Sequence, residues 1–255
     1  MIFMKVTLLG TGTSFPDRTR VQSGILIEVD DYKILLDVGS GILQRLNHSN
    51  VDINCISAVF ISHFHIDHCS DFHTLVQSLW LSGYKDTLEV FGSPAYREWA
   101  RGTNEIAFPY LLTKIPINYK GLAENEAIQH KSLTVSVCPT LHGSMDGRAF
   151  RVEHDGKSVV FSSDTAPCPE VINLAKGCDI LIHECNWLDG IHPEGVHTSP
   201  SELRDIVEQV QPKKVILNHV SPEVVNQTDK VISTIVRRTD AEVVMGEDLM
   251  SFELK

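Results

Sequence analysis

Three histidines and one aspartate lie close together near position 65 of the chain. The stretch ISHFHIDHCS contains His63, His65, Asp67 and His68. Residues two apart in an extended segment point to the same side, so His63 and His65 can bind one metal ion together. Asp67 and His68 follow where the chain must turn, so they can face a second metal ion. Imidazole and carboxylate ligands suit zinc, and iron or manganese accepts the same ligands.

The residues on either side of this cluster predict a strand, a loop and a helix. Residues 58–61 are apolar and largely β-branched or aromatic, which is typical of a strand buried on both faces. Residues 71–82 carry apolar side chains at helical spacing, and Gly83 ends that pattern. The cluster is therefore expected at the carboxyl end of a buried strand, where α/β folds usually bind their ligands.

Further candidate ligands follow later predicted strands. His142 follows a predicted strand at 133–137, Asp164 follows one at 158–161, and His219 follows one at 215–217. The four residues near position 65 cannot complete two metal sites. A dinuclear centre therefore needs further ligands from later in the chain, such as these three. Their repeated position just after apolar runs predicts that they belong to the same site.

These motifs together resemble the metallo-β-lactamase superfamily of dinuclear hydrolases. The resemblance rests on HFHIDH, the later His142, SSDT and the final Asn218-His219, and it runs from LLGTGTSFP to the last predicted strand. The stretches IHECNW and HTS are similar to motifs of the ribonuclease Z-like phosphodiesterases. The opening GTGTS and LDVGSG also fit that branch.

The resemblance implies a four-layer αββα sandwich and two divalent metal ions, zinc in the first instance, with manganese or iron as alternatives. One metal would be held by His63, His65 and His142, the other by Asp67, His68 and His219, and Asp164 would bridge them. For catalysis it implies that Asp67 orients the attacking water and accepts its proton, that His197 donates a proton to the leaving group, and that Glu184 orients His197. For Asp37 two interpretations stay open: a carboxylate that braces the ligand loop, or a polar residue that merely ends a strand.

The chain departs from the tRNA-processing members of that family in one place. Those members carry a long substrate-grasping arm between the third ligand motif and the bridging aspartate, whereas here only residues 143–163 intervene. We therefore expect a small phosphodiester, such as a cyclic nucleotide, or an RNA end as substrate, and tRNA 3′-processing is disfavoured. A lactonase or thioesterase on the same metals, and a non-catalytic metal-binding scaffold, are the alternatives.

Composition limits the possible partners. The net charge of the 255 residues is −11, and the basic pairs are Lys213-Lys214 and Arg237-Arg238. Nucleic-acid binders usually carry a basic face, so no extended nucleic-acid surface is expected. The hydrophobic fraction of 42% supports a sizeable core, and no apolar run approaches the roughly 18 residues of a membrane-spanning helix. The sequence leaves a homodimer open.

The remaining features predict one domain over residues 1–255 in a reducing cytoplasm. The start of the chain, MIFMKVTLL, is interrupted by Lys5 and is not typical of a signal peptide, and the six cysteines contain no CxxC pair. Cys69 and Cys185 are interpreted as packing residues. The remaining histidines are interpreted as surface or core residues, with His183 the best candidate for a supporting role near the site: His48, His73, His130, His154, His183 and His192.

Local patterns also predict several elements of secondary structure. Early strands are expected at 6–9, 24–29 and 33–36, a helix at 42–46, and later strands at 88–91 and 179–183. A hairpin of strands at 148–153 and 158–161 should turn at Asp155-Gly156. A helix should begin with Ser199 as N-cap, Pro200 in the first position and Glu202 closing a capping box. A last helix is expected over residues 224–238.

Overall fold

The computed structural model describes residues 4–255 of the chain. These residues form two compact units, of which the first runs up to Ala123 and takes in Asp248–Lys255, and the second covers Glu124–Glu247. Met1, Ile2 and Phe3, where the expectation about a signal peptide begins, lie outside the described residues. Within the described part of the chain, no helix is both long enough and apolar enough to cross a membrane.

The first unit is built on a seven-stranded mixed sheet. Its strand order is β14-β1-β2-β3-β4-β5-β6. Strands β1 to β3 and β14 pair antiparallel, whereas β3 to β6 run parallel. The strands are β1 (Met4–Gly10), β2 (Gly24–Val29), β3 (Tyr32–Leu36), β4 (Ile56–Phe60), β5 (Leu88–Gly92), β6 (Ile117–Gly121) and β14 (Ser251–Leu254).

The helices of the first unit cover one face of this sheet. Leucine, isoleucine and valine side chains from β1 to β4 pack with the apolar faces of α1 and α3 in one buried cluster. A π-helix at Arg101–Ala107 and short 3₁₀ turns at Ile53–Cys55 and Pro109–Leu111 complete the unit. Its α-helices are α1 (Ile42–His48), α2 (Ile66–Cys69), α3 (Phe72–Leu81) and α4 (Tyr96–Ala100).

The second unit repeats this plan with its own seven-stranded sheet. The strand order is β13-β12-β11-β10-β9-β8-β7, in which β10 to β13 run parallel and β7 to β10 antiparallel. The strands are β7 (Ala127–His130), β8 (Leu133–Pro139), β9 (Arg148–His154), β10 (Lys157–Phe161), β11 (Ile180–Cys185), β12 (Lys214–Val220) and β13 (Glu242–Met245).

Helices pack on the second sheet through a cluster that includes Leu203, Val207, Val231 and Ile235. The capping box at the start of α6 is confirmed, with Ser199 as N-cap and Glu202 bonded back to its backbone. The α-helices are α5 (Pro169–Ala175), α6 (Pro200–Val210), α7 (Pro222–Val225) and α8 (Thr228–Ile235).

The predicted elements correspond closely to the observed ones, with one correction. The strands and the hairpin around Asp155-Gly156 are confirmed, and Asp155 and Gly156 both adopt the positive φ that such a turn requires. The single last helix over 224–238 is wrong. The chain instead forms α7, α8 and a 3₁₀ turn at Val236–Arg238. Ser221 caps α7 and Pro222 starts it, and the non-helical Gln227 then separates it from α8.

Candidate metal and catalytic site

Four of the predicted ligands lie on the loop and short helix that follow β4 in the first unit. His63 and His65 precede α2, and Asp67 and His68 lie in its first turns. His63, Asp67 and His68 are buried, whereas His65 is exposed to solvent. His63 Nε2 lies 3.0 Å from His65 Nδ1, and His68 Nε2 lies 3.6 Å from a carboxylate oxygen of Asp67. Within each of the two pairs that the spacing predicted, side-chain polar atoms therefore lie close together.

Asp37 braces this ligand loop. The completely buried carboxylate accepts hydrogen bonds from the Ser62 backbone N–H at 2.7 Å and from His68 Nδ1 at 2.7 Å. Ser62 Oγ donates to it at 2.9 Å and in turn lies 3.1 Å from His63 Nδ1. Because a carboxylate only accepts, Nδ1 of His68 carries the proton, and its Nε2 is directed elsewhere. The bracing interpretation of Asp37 fits these contacts better than the strand-end interpretation.

The backbone around Asp37 is fixed against the same loop. Asp37 has a φ of +62°, an uncommon conformation for a residue other than glycine. Its N–H donates to the Phe60 carbonyl, and the Val38 N–H donates to the His68 carbonyl. A Cβ atom added at Gly39 would lie 2.0 Å from the Asp67 carbonyl oxygen, so only glycine allows this close approach.

The second unit brings the other three predicted ligands together. His142 follows β8, Asp164 follows β10, and His219 lies near the end of β12, and all three are buried. One carboxylate oxygen of Asp164 lies 3.7 Å from His142 Nε2, and the other lies 3.4 Å from His219 Nδ1. These separations exceed an ordinary N–H···O hydrogen bond and suit ligands that share an ion. Each oxygen of Asp164 faces a different imidazole, an arrangement compatible with a bridging carboxylate.

Two of these ligands depend on unusual backbone conformations at strand ends. Ser163, directly before Asp164, has a φ of +54°, and His219 has a φ of +47°. His219 is the extra residue of a β-bulge, because Glu184 pairs with Asn218 while Cys185 pairs with Val220. Bulges re-aim side chains and are frequent beside active sites.

His142 is oriented by a backbone carbonyl. Its Nδ1 donates to the Val196 oxygen at 2.8 Å, so Nε2 is the nitrogen directed at Asp164. Burial lowers the pKa of His142, with the Asp164 carboxylate acting in the opposite direction. A neutral imidazole is the form that binds metals. The sequence held no signal for Val196, because its contribution comes from the main chain.

Glu184 and His197 form a hydrogen-bonded pair beside Asp164 and His219. His197 Nδ1 donates to Glu184 Oε1 at 2.8 Å, and the Glu184 carboxylate also accepts from the backbone N–H groups of Thr165, Asn186 and Thr198. Burial raises the pKa of Glu184 and the Asp164 charge adds to this, while the N–H donors act in the opposite direction. Glu184 thus joins the Asp164 loop to the His197 segment.

His197 lies close enough to the predicted ligands for either of two roles. Asp164, His197 and His219 each offer a donor atom within 4.8 Å of the others. The ring centroids of His197 and His142 are 4.9 Å apart, and those of His197 and Trp187 are 5.0 Å apart. A hydrogen bond to a carboxylate orients metal ligands and proton donors alike, so this geometry alone permits both a ligand and an acid.

The residues assigned to packing lie in the core or at the surface. Cys69 and Cys185 are buried, and burial raises the pKa of both thiols, that of Cys69 to about 12. His48 is exposed and His192 is partly buried. The other four histidines without a predicted metal or catalytic role are buried: His73, His130, His154 and His183.

The basic pairs that the sequence singled out are largely neutralised by carboxylates. Lys213 pairs with Asp179 at 2.6 Å, and Lys214 pairs with Glu242 at 2.9 Å. Arg238 lies 3.0 Å from Glu208. Because carboxylates pair with these charges, Lys213, Lys214 and Arg238 do not form a free basic patch for a nucleic acid.

Comparisons with known proteins agree with the fold and the motifs. The structure aligns with the metallo-β-lactamase fold protein YhfI from Bacillus subtilis at a TM-score of 0.85 and 24% identity, covering 99% of this chain and 100% of that one. It aligns with a diphosphatase of the PhnP family at a TM-score of 0.78 and 17% identity, covering 99% and 98%. The predicted α/β class and metallo-β-lactamase fold are thereby confirmed.

Sequence comparison identifies the family. The ribonuclease Z of Mycobacterium bovis is 31% identical over 194 residues, which cover 71% of this chain and 69% of that protein. The family model described as anti-Pycsar protein Apyc1 matches residues 4–239. Hydrolases of this fold bind divalent metal ions, and the imidazole and carboxylate donors described above are a suitable set for them. The chain therefore belongs to the anti-Pycsar protein Apyc1 family, within the ribonuclease Z-like branch of the metallo-β-lactamase superfamily, and is a metal-dependent hydrolase.

Proposed function

We propose that this hydrolase cleaves small phosphodiesters, a cyclic nucleotide or a short RNA end among them, rather than processing precursor tRNA. The observation that carries the proposal is the Glu184–His197 pair beside Asp164 and His219. An alkoxide leaving group needs a proton, whereas the thiolate leaving group of a thioester needs one much less. The ribonuclease Z and diphosphatase relatives also act on bonds between phosphorus and oxygen.

The size of the substrate follows from the connection between His142 and Asp164. Residues 143–163 are used up by the turn after His142 and by the β9–β10 hairpin, which leaves no segment for an arm that grasps RNA. A structured RNA needs many backbone contacts over a basic face. The carboxylate partners of Lys213, Lys214 and Arg238 argue against such a face.

In this proposal the two sets of ligands serve one dinuclear centre. His63, His65 and His142 would hold one divalent ion, Asp67, His68 and His219 would hold the other, and Asp164 would be shared between them. Zinc suits this mixture of imidazole and carboxylate, and manganese or iron would also be accepted. When bound, such ions lower the pKa of water and polarise a phosphoryl oxygen.

Three side chains then move or hold protons. Asp67 orients the attacking water and accepts its proton. His197, with Nδ1 tied to Glu184, presents Nε2 as the proton donor to the leaving oxygen. Glu184 keeps the imidazole in one orientation and stabilises its protonated form, as a buried carboxylate does for a catalytic histidine.

The proposal is tested by comparing kcat/KM for bis-nitrophenyl phosphate, a cyclic nucleotide and a precursor tRNA at one salt concentration. Small diesters should be cleaved more efficiently than the tRNA is trimmed, and a lactone and a thioester should be poor substrates. The Asp67→Ala variant serves as the blank for contaminating nuclease. Trimming of precursor tRNA at least as efficient as diester cleavage would contradict the proposal. The RNA contacts would then have to come from elsewhere, and the mass in solution would test for a homodimer.

A further inference from the structure

The loop between β11 and α6 carries an aromatic cluster next to His197. Trp187 is half-buried and follows Glu184 by three residues. Its ring centroid lies 4.3 Å from that of His192, at an interplanar angle of 35°, and 5.0 Å from that of His197, which it meets edge-on. Trp187 therefore occupies the position immediately beside the proposed proton donor.

Trp187 and its neighbour Leu188 have different surroundings. Leu188 packs against the buried cluster beneath α6 and α8, whereas Trp187 contacts the rings of His192 and His197. Trp80 and Trp99, in contrast, pack against the core of the first unit. A large aromatic side chain that stays half-buried beside the proposed proton donor offers a surface on which another ring can pack.

Hydrogen bonds hold both ends of this loop in place. Asp189 accepts a hydrogen bond from the Ser201 N–H at 2.9 Å, and the Gly195 carbonyl accepts one from the Gly143 N–H at 2.8 Å. Between these points the side chain of Ile191 is fully exposed. The segment that carries His192 is thus held in place, and His192 lies against the Trp187 ring, which reduces the entropy lost when another ring stacks on Trp187.

We propose that Trp187, supported by His192, forms a stacking shelf for the nucleobase of the substrate. The inference rests on the proposed function, since a nucleobase lies one sugar ring away from the phosphate that the centre would cleave. Bases stack on aromatic side chains largely irrespective of sequence, because every base has a π face. The shelf should therefore accept all four bases and favour purines, which offer the larger face.

The test compares Trp187→Ala and Trp187→Phe with the unmodified protein on two substrates: a cyclic nucleotide and the corresponding ribose cyclic phosphate without a base. Trp187→Ala should lower kcat/KM for the nucleotide by about 10- to 100-fold, mainly through KM, which is the effect of losing one stacked base. It should leave the abasic substrate nearly unchanged, and Trp187→Phe should restore most of the loss. Glu194→Ala, an exposed change in the same loop, is the matched control.

Calorimetric binding of adenosine monophosphate and of ribose phosphate gives a readout that is independent of turnover. Binding of the nucleotide should weaken in Trp187→Ala, while binding of ribose phosphate should not. An unmodified protein that binds nucleotides through Trp187 but cleaves no diester would support the shelf and contradict the proposed function. Equal loss of kcat on both substrates, with nucleotide affinity unchanged, would show that Trp187 only orients His197 and would overturn the shelf.

Discussion

The orientation of the imidazole rings is set residue by residue through Nδ1. His68 donates to a carboxylate, His142 to a backbone carbonyl and His197 to a second carboxylate. In each case the acceptor fixes which nitrogen carries the proton and leaves Nε2 available. The same arrangement therefore suits the two proposed ligands and the proposed acid. Kinetic and metal-binding measurements are needed to distinguish these roles.

Replacement of His197 separates an acid from a ligand. His197→Ala should retain its bound metal and slow the cleavage of diesters with alkoxide leaving groups by about 10²- to 10⁴-fold, the usual effect of losing a general acid. The loss should be much smaller for nitrophenolate, a leaving group that needs no proton. Steady-state kinetics on both kinds of substrate, together with elemental analysis, measures this. If His197→Ala instead lost metal, His197 would be a ligand. His48→Ala, at an exposed histidine, is the control.

His183 predicts a pH dependence of stability. It is completely buried, burial lowers its pKa to about 4, and its Nδ1 donates to the Glu184 carbonyl. The unfolded chain takes up this proton near the ordinary value of 6.5. The histidine's contribution is therefore complete above about pH 6.5 and is lost as the pH falls towards about 4. The loss amounts to about 3 kcal/mol, since one pKa unit corresponds to about 1.4 kcal/mol.

Urea denaturation of metal-free protein at pH 7 and at pH 5 measures this effect. The stability difference between the two pH values should be smaller in His183→Asn, because asparagine keeps a donor near the position of Nδ1 and does not titrate. The other histidines contribute equally to both proteins, so the comparison isolates position 183. An identical pH dependence of the two proteins would contradict the assignment.

At the scale of elements, the residues of the candidate site lie at the ends of strands, and at three strand ends a residue adopts the left-handed backbone conformation. Asp37, Ser163 and His219 have positive φ values at or just beyond the ends of β3, β10 and β12. Such conformations cost about 1–3 kcal/mol each and persist where the surroundings enforce them. At Asp37 the hydrogen bonds of Ser62 and His68 offset this cost. Strain at these positions re-aims side chains that a regular strand would direct elsewhere.

Local sequence signals predicted the elements well where they were strong. These signals are the strand-forming runs, the Asp155-Gly156 turn and the Ser199 capping box. Each depends on residues that are close together in the sequence, so the sequence alone is enough to recognise it. The last helix failed because helical periodicity over 224–238 continued across Gln227, where the chain leaves the helical conformation. Short edge strands such as β7 and β13 carry weak patterns and acquire their conformation from pairing with a neighbour.

At the scale of the whole molecule, the ligands should bind two metal ions per chain. Elemental analysis of purified protein supplied with zinc or manganese should give close to two equivalents. Asp164→Ala should lose most of both, because it removes the proposed bridge, and the stabilisation by added metal should disappear from its thermal unfolding curve. Glu170→Ala, an exposed change in the following helix, controls for a nonspecific effect. Protein without bound metal under these conditions would contradict the dinuclear centre.

The sequence by itself pointed to the ribonuclease Z-like branch of the metallo-β-lactamase superfamily, to the candidate ligands and to the strands that precede them. It could do so because motif spacing and apolar runs are local properties of the chain. Only the tertiary structure decided how each imidazole is oriented, that Asp37 braces two of them, and that the Val196 carbonyl, 54 residues from His142, holds its ring. The β-bulge at His219 and the contacts of Trp187 with His192 and His197 were also settled there. These features depend on hydrogen bonds and ring contacts between residues far apart in sequence or on main-chain atoms, which leave no pattern of side chains to recognise.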